Sequence, residues 1–288
     1  MPGDAARPPL TRTARFAWGA VALLLIGVVA LVVYALTDTP VTVRVVHRTA
    51  TGKGVLHALA TVPPAAFDQV GVSAPGTGLT LPTVVAATGT TTGKPTVLFV
   101  GAEYCPFCAA ERWPLVVALS RFGTFGALDD MQSSATSVFP GIQTFSFVRA
   151  AYTSRYVAFD PVELYSNVPD SHGVYTRIAV LSPAQQAEVD RYGARDRGPA
   201  GSFPFVDVGN RLVSAEAAFS PAALEKLDQA TIVTDLSTPA APATPASRAI
   251  LAASNLLTAG ICAATGQQPA AVCGSRGVRA ADAALGLG

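Results

Sequence analysis

The hydrophobic pattern opens with an uninterrupted run. Phe16 to Leu36 (FAWGAVALLLIGVVALVVYAL) carries about 21 residues without a charge. At about 1.5 Å per residue such a helix covers roughly 30 Å, the thickness of a bilayer's hydrocarbon core. Trp18 and Tyr34 stand near its ends, where amphipathic rings prefer the headgroup region. Arg7, Arg12 and Arg15 precede the run and Asp38 is the first charge after it, so the positive-inside rule puts residues 1–15 in the cytoplasm. The expectation is a single-pass cell-membrane anchor over 16–36, with everything beyond it extracytoplasmic. A cleaved secretory signal is the competing reading, but its apolar core runs only about 7–15 residues and no convincing A-x-A site follows Tyr34. Either reading exports the rest of the chain. A buried globular helix is the third.

Beyond the anchor the pattern changes period. Val41 to Arg48 (VTVRVVHR) alternates and reads as a strand. Residues 37–89 otherwise form a lead-in, and the Gly, Pro, Thr and Ala of about 50–95 predict little regular structure. Pro95 to Gly101 (PTVLFVG) predicts a buried strand. Ala109 to Phe122 has helical spacing, with Pro114 as an expected kink. Strands are predicted over Thr144–Ala150, Arg155–Asp160 and Pro204–Val208, the last turning through Gly209-Asn210 into Arg211–Val213. Helices are predicted over Pro183–Tyr192, capped by Ser182, and over Pro221–Ala230, capped by Ser220. A Pro-rich spacer (236–246) leads to an apolar helix, Ser247–Ala264, that must dock on the domain, and residues 275–288 read as a disordered tail. This order gives an α/β class, a mixed sheet flanked by helices, with an N-terminal transmembrane helix and a C-terminal helical extension over 236–274.

Composition narrows the function classes. Half of the residues are hydrophobic and 14% are charged, low for a soluble domain even after the apolar run is set aside. The formal net charge of +1 supplies no field that would draw nucleic acid, and no basic stripe with interleaved aromatics stands out. Nucleic acid is not expected as a partner.

All four cysteines follow the apolar run, as suits an oxidising compartment. Cys105-Pro106-Phe107-Cys108 falls at a strand-to-helix junction. There the first sulfur meets unpaired helix N–H groups and the positive end of the macrodipole, which favour a thiolate. Cys108 lies one helical turn away on the same face, within reach of a disulfide. The expectation is that Cys105 attacks a substrate disulfide and Cys108 resolves the mixed disulfide. A structural disulfide, a zinc half-site and an unreactive loop are the alternatives. Zinc would need a second ligand pair, and Cys262 and Cys273, ten residues apart, and His47, His57 and His172 lack ligand spacing, so no metal or cofactor is expected. Cys262 and Cys273 read as a structural disulfide closing the end of the last apolar helix, with an electron relay to the first pair as the alternative. Phe203-Pro204 reads, on its own, as an ordinary strand-start proline.

The motifs carry a resemblance. GKPTVLFVGAEYCPFC resembles the central strand and active-site turn of the thioredoxin superfamily, and SFPFVDVGNR its later cis-proline segment. GAEYCPFCAAERWPLVVALSRFGTF, AYTSRYVAFDPVELYSN, PFVDVGNR and ICAATGQQPAAVC are similar to one prokaryotic family, the membrane-anchored thioredoxin-like Domain of Unknown Function 929. The likeness runs from about residue 90 to 273. It implies a thioredoxin-like domain over 90–235, a cis Pro204 facing the cysteines, and a substrate-binding role for Phe203 and Pro204. The family name assigns no substrate; exchange by an exported CxxC is what sets the expected partners, protein thiols and disulfides of exported proteins, with a membrane redox partner as a further candidate to recycle the pair. Phe99 stands where thioredoxin has a buried acid, and Tyr104 where it has tryptophan. Glu103 and Glu111 read as solvated surface carboxylates, with proton handling as the alternative role. An insert between the cysteine helix and Phe203 exceeds a minimal thioredoxin and is placed to shape the site. The expected activity is thiol–disulfide exchange. A non-catalytic binding or assembly module that keeps the fold with a structural disulfide is the alternative.

Overall fold

A computed structural model describes residues 24–30, 48–86, 93–193, 203–238 and 244–288. The chain divides into two units, Met1–Arg44 and Val45–Gly288. In the first, residues 24–30 are helical and exposed; the rest of the expected 16–36 span lies outside the described residues. So do residues 41–47 of the expected Val41–Arg48 strand, with His47, and most of the Pro-rich spacer. Among the described residues one helix, Pro245–Ala264, is long and apolar enough to cross a membrane, and most of it is buried inside the protein.

The second unit is mixed α/β. Its elements are β1 (Thr49–Ala50), α1 (Lys53–Ala60), α2 (Pro64–Val70), β2 (Thr83–Val84), β3 (Thr96–Gly101), α3 (Pro106–Ser120), β4 (Gly123–Gln132), β5 (Gln143–Ser154), β6 (Ala158–Glu163), β7 (Tyr165–Pro169), β8 (Tyr175–Arg177), α4 (Pro183–Tyr192), β9 (Phe205–Val208), β10 (Leu212–Ser214), α5 (Gln229–Leu236), α6 (Pro245–Ala264) and α7 (Arg276–Leu285). The main sheet has the order β2-β10-β9-β3-β6. In it β3 runs parallel to β6 and antiparallel to β9, which turns back through Gly209-Asn210 into β10. A second sheet, β1-β4-β5, and the hairpin β7-β8 complete the strands.

Period-two alternation explains why β3 can be apolar throughout. Val97 and Phe99 enter the large core with α3 and α6, while Leu98 and Val100 join Val162, Phe205 and Val213 under α4. The sheet is thus covered on both faces, which suits a continuous Val/Leu/Phe run. Helix α4 begins as expected: Ser182 accepts from the Gln185 N–H and the Gln185 side chain returns the bond, a full capping box.

Several expectations need correction. The stretch 50–95 was expected to lack regular structure, but it contains α1, α2 and β2. Pro63-Pro64 opens α2 and Gly71, at φ +57, closes it. The Arg155–Asp160 strand starts only at Ala158. The expected helix Pro221–Ala230 is two pieces, a 3-10 turn at Pro221–Leu224 capped by Ser220, and α5 capped by Asp228. Lys226 between them has φ +63, which no helix tolerates. The expected disordered tail holds α7, with Val278 and Ala281 buried.

Helix α6 lies against α3 and β9, and at Gly260 it passes close to β10, where an added Cβ would stand 2.8 Å from Leu212 Cδ2 and 3.0 Å from its Cβ. Gly260→Ala is therefore expected to lower stability by about 1–3 kcal/mol through overpacking. Urea melts would show it, whereas an unchanged midpoint would mean that α6 can shift at no cost.

Candidate active site

Strand β3 ends at Gly101 and the chain turns through Ala102, Glu103 and Tyr104 into α3. Cys105 is the N-cap of that helix, in extended backbone (φ −76°, ψ 123°), and Pro106 takes the first helical position. The Cys108 N–H donates to Cys105 Sγ at 3.3 Å, so the sulfur occupies the place of a capping oxygen. Both cysteines are free thiols; Cys105 retains 6% exposure and Cys108 none.

The two sulfurs are held differently. A hydrogen bond from the Cys108 side chain lowers the Cys105 pKa against the opposing effect of burial. The N–H groups of Cys108 and Phe107 and the positive charge of Arg112 act in the same direction. Burial pushes the Cys108 thiol well up, and donation to Cys105 adds to that. Cys105 is accordingly the group that ionises first, and Cys108 keeps its proton.

Phe203-Pro204, a cis peptide bond, lies across a cleft from the motif's own Phe107. The cleft has a volume of about 310 Å³ and is walled further by Gly78, Thr80 and Phe219. An aromatic rim continues it. Tyr104 stacks on Tyr175 at 4.0 Å and meets Phe203 edge-on, and Phe107 meets Phe139. Tyr175 and Phe139 come from the stretch between α3 and Phe203, so part of that stretch shapes the surroundings of the site. Burial, ahead of the neighbouring cysteines, pushes the Tyr104 hydroxyl up to about 12, and it stays neutral.

Residues 84–186 match the family model described as Domain of unknown function (DUF929). No curated protein and no solved structure gives a significant match to the chain. The matched segment contains β3, the cysteine motif, α3 and β4 to β8, but Phe203, Pro204, Cys262 and Cys273 lie beyond it.

Within the DUF929 segment, Glu103 and Glu111 are not the solvated carboxylates expected: they are 0% and 1% exposed. Arg48 donates to both oxygens of Glu103, at 2.6 and 2.7 Å, and Ser146 Oγ adds a bond at 2.5 Å. Behind the cysteines Arg112, fully buried, donates to both oxygens of Glu163 at 2.9 and 2.7 Å. Glu163 is the register partner of Gly101 across the parallel β3–β6 pair. Glu111 accepts from the Ala218 N–H at 2.7 Å, and burial pushes its pKa up to about 8. Helical spacing held a signal for two of these side chains, since Glu111 and Arg112 stand three and four residues after Cys108. No sequence pattern pointed to Arg48 or Glu163.

Cys262 and Cys273 form a disulfide between the end of α6 and a single turn at Ala270–Cys273. Neither lines the cleft shared by Phe107, Phe203 and Pro204. Among the described residues no group of three or more His, Cys, Asp or Glu side chains could hold a metal ion.

Proposed function

We propose that the protein is a membrane-anchored, extracytoplasmic thiol–disulfide oxidoreductase with a thioredoxin-like domain. The reading rests on one observation above all: Cys105 caps a helix, its sulfur accepting the N–H of a fully buried Cys108, and Phe107 between them lines a cleft; the lowered pKa of Cys105 agrees with it. The strand–CxxC–helix order and the cis Pro204, which shares a cleft with Phe107 of the motif, support the thioredoxin-like reading. The uncharged Phe16–Leu36 run and the arginines before it support the anchor and its orientation.

In the reducing direction the Cys105 thiolate attacks a substrate disulfide. One S–Cys105 bond forms, the substrate S–S bond breaks, and the departing substrate thiolate takes up a proton. Cys108 then loses its proton and attacks the Cys105 sulfur, which releases the second substrate thiolate. The two electrons gained by the substrate leave a Cys105–Cys108 disulfide. The oxidising direction is the reverse. Protein thiols and disulfides of exported proteins are the proposed partners, and a membrane redox protein would recycle the pair.

The test is a glutathione titration of the detergent-solubilised full chain, following Cys105 and Cys108 by mass. A midpoint of about −120 to −200 mV means a disulfide donor or isomerase, and one near −250 mV a reductase. A pair still oxidised below about −300 mV is a structural bond and ends the proposal.

A further inference from the structure

Arg112 is a costly residue to keep where it is. It is fully buried, and a buried ion pair seldom adds net stability over an apolar replacement. Its Nε and Nη2 are spent on Glu163 and, at 2.9 Å, on the Ala102 carbonyl, while Nη1 is buried with no hydrogen-bond partner among the described residues. The backbone of the same Ala102 acts to lower the Cys108 pKa, against the larger effect of burial. The packing is close from the other side as well. A Cβ on Gly101 would stand 3.3 Å from Cys108 Sγ and 2.5 Å from Phe99 Cζ, and the Phe99 ring centroid is 5.5 Å from Arg112 Cζ.

We propose that Arg112, steered by Glu163, is a positioning residue that sets the redox poise of Cys105–Cys108 by stabilising the reduced, ionised form of the pair. The inference rests on the thiol–disulfide reading above. Arg112 touches no substrate. Its charge acts on both sulfurs in the favourable direction, through a dry environment in which a fixed charge is weakly screened. Glu163 has two opposed effects: it holds the guanidinium against Ala102, and its own negative charge partly cancels the field. This predicts opposite outcomes for two substitutions at one ion pair.

The test measures the equilibrium constant between the protein disulfide and reduced glutathione, which exchange two electrons, on the full chain in detergent. Glu163→Gln keeps an acceptor for Arg112 but leaves its charge uncompensated. The reduced protein should gain, and the constant should rise about tenfold, equivalent to about 30 mV towards oxidising. The double variant Arg112→Met/Glu163→Gln removes both charges, and the constant should fall about tenfold. Arg112→Lys retains the charge and should stay within about threefold of the parent. Scaffold damage has no reason to move the first two variants in opposite directions. If both shift the same way, or neither shifts by more than threefold while melting cooperatively, the inference is overturned. Should the double variant fail to fold, Glu163→Gln decides alone: an unchanged or lowered constant refutes the role of Arg112. A parent protein that never equilibrates with glutathione refutes the thiol–disulfide reading itself, and a parent that equilibrates with variants that do not diverge refutes only the role of Arg112.

Discussion

In cells, full-length protein carrying Cys108→Ser is expected to accumulate as mixed disulfides with exported proteins, while Cys105→Ser traps none and its exchange falls to the uncatalysed rate. The asymmetry follows from access and ionisation together. The thiolate is the attacking species, and Cys105 is both the cysteine with residual exposure and the one whose pKa is lowered. Cys108 has no exposed surface and retains its proton, so it meets a partner only after Cys105 has drawn one in. Removing it leaves attack possible and resolution impossible. Serine at 105 preserves the cap, since its oxygen can accept from the Cys108 N–H as the sulfur does, and the fold should persist. Non-reducing electrophoresis followed by reduction reads both results. High-mass adducts from Cys105→Ser, or none from Cys108→Ser, would contradict the assigned roles.

Glu111→Gln is expected to change how stability depends on pH. The Glu111 carboxyl is buried and its pKa is raised from 4.5 to about 8, so the folded state holds its proton across a range in which the unfolded chain has released it. Its contribution is complete below pH 4.5, declines as pH rises, and is lost once pH passes about 8. At ~1.4 kcal/mol per pKa unit the span from 4.5 to about 8 is on the order of 5 kcal/mol. Glutamine keeps an acceptor for the Ala218 N–H but does not titrate. The variant should match the parent near pH 4.5 and exceed it increasingly up to pH 8–9. Asp207, raised to about 6 by burial, tilts both proteins equally and drops out of the difference. Parallel denaturant-melt curves for the two proteins would show that the Glu111 carboxyl does not titrate across this range. The loop that Glu111 holds includes Ala217 and Phe219, which wall the cleft, so alkaline weakening should reach the proposed site first.

What the sequence made legible was local. The β3 run, the cysteine motif as a helix start, the Ser182 cap, the β9 turn and the apolar α6 are each encoded within a few consecutive residues. The helices of the lead-in were not legible because they are short and depend on tertiary packing for their stability. In α2, PAAFDQV offers one turn of apolar spacing between a Pro and a Gly, which also punctuate loops. Small residues hid α7 in the same way. Gly277 reads as flexible tail, but an added Cβ would stand 2.5 Å from the Phe67 carbonyl, so its smallness serves close contact with α2. The buried charges were invisible for another reason. Glu103 looks solvated until Arg48, 55 residues earlier, is folded onto it, and Glu163 finds Arg112 only through the β3–β6 register.

The Arg48 fork also has a mechanical consequence. Arg48 stands close to the start of the second unit, just before the two-residue strand that pairs with β4. Tension along the chain ahead of it is carried first by that fork and by those two pairs. The fork's far end is Glu103, two positions from the proposed nucleophile. Strain sufficient to detach Arg48 would leave a carboxylate buried without its counter-charge beside the turn that shapes Cys105, so the point where the chain enters the domain and the point where sulfur reacts yield together.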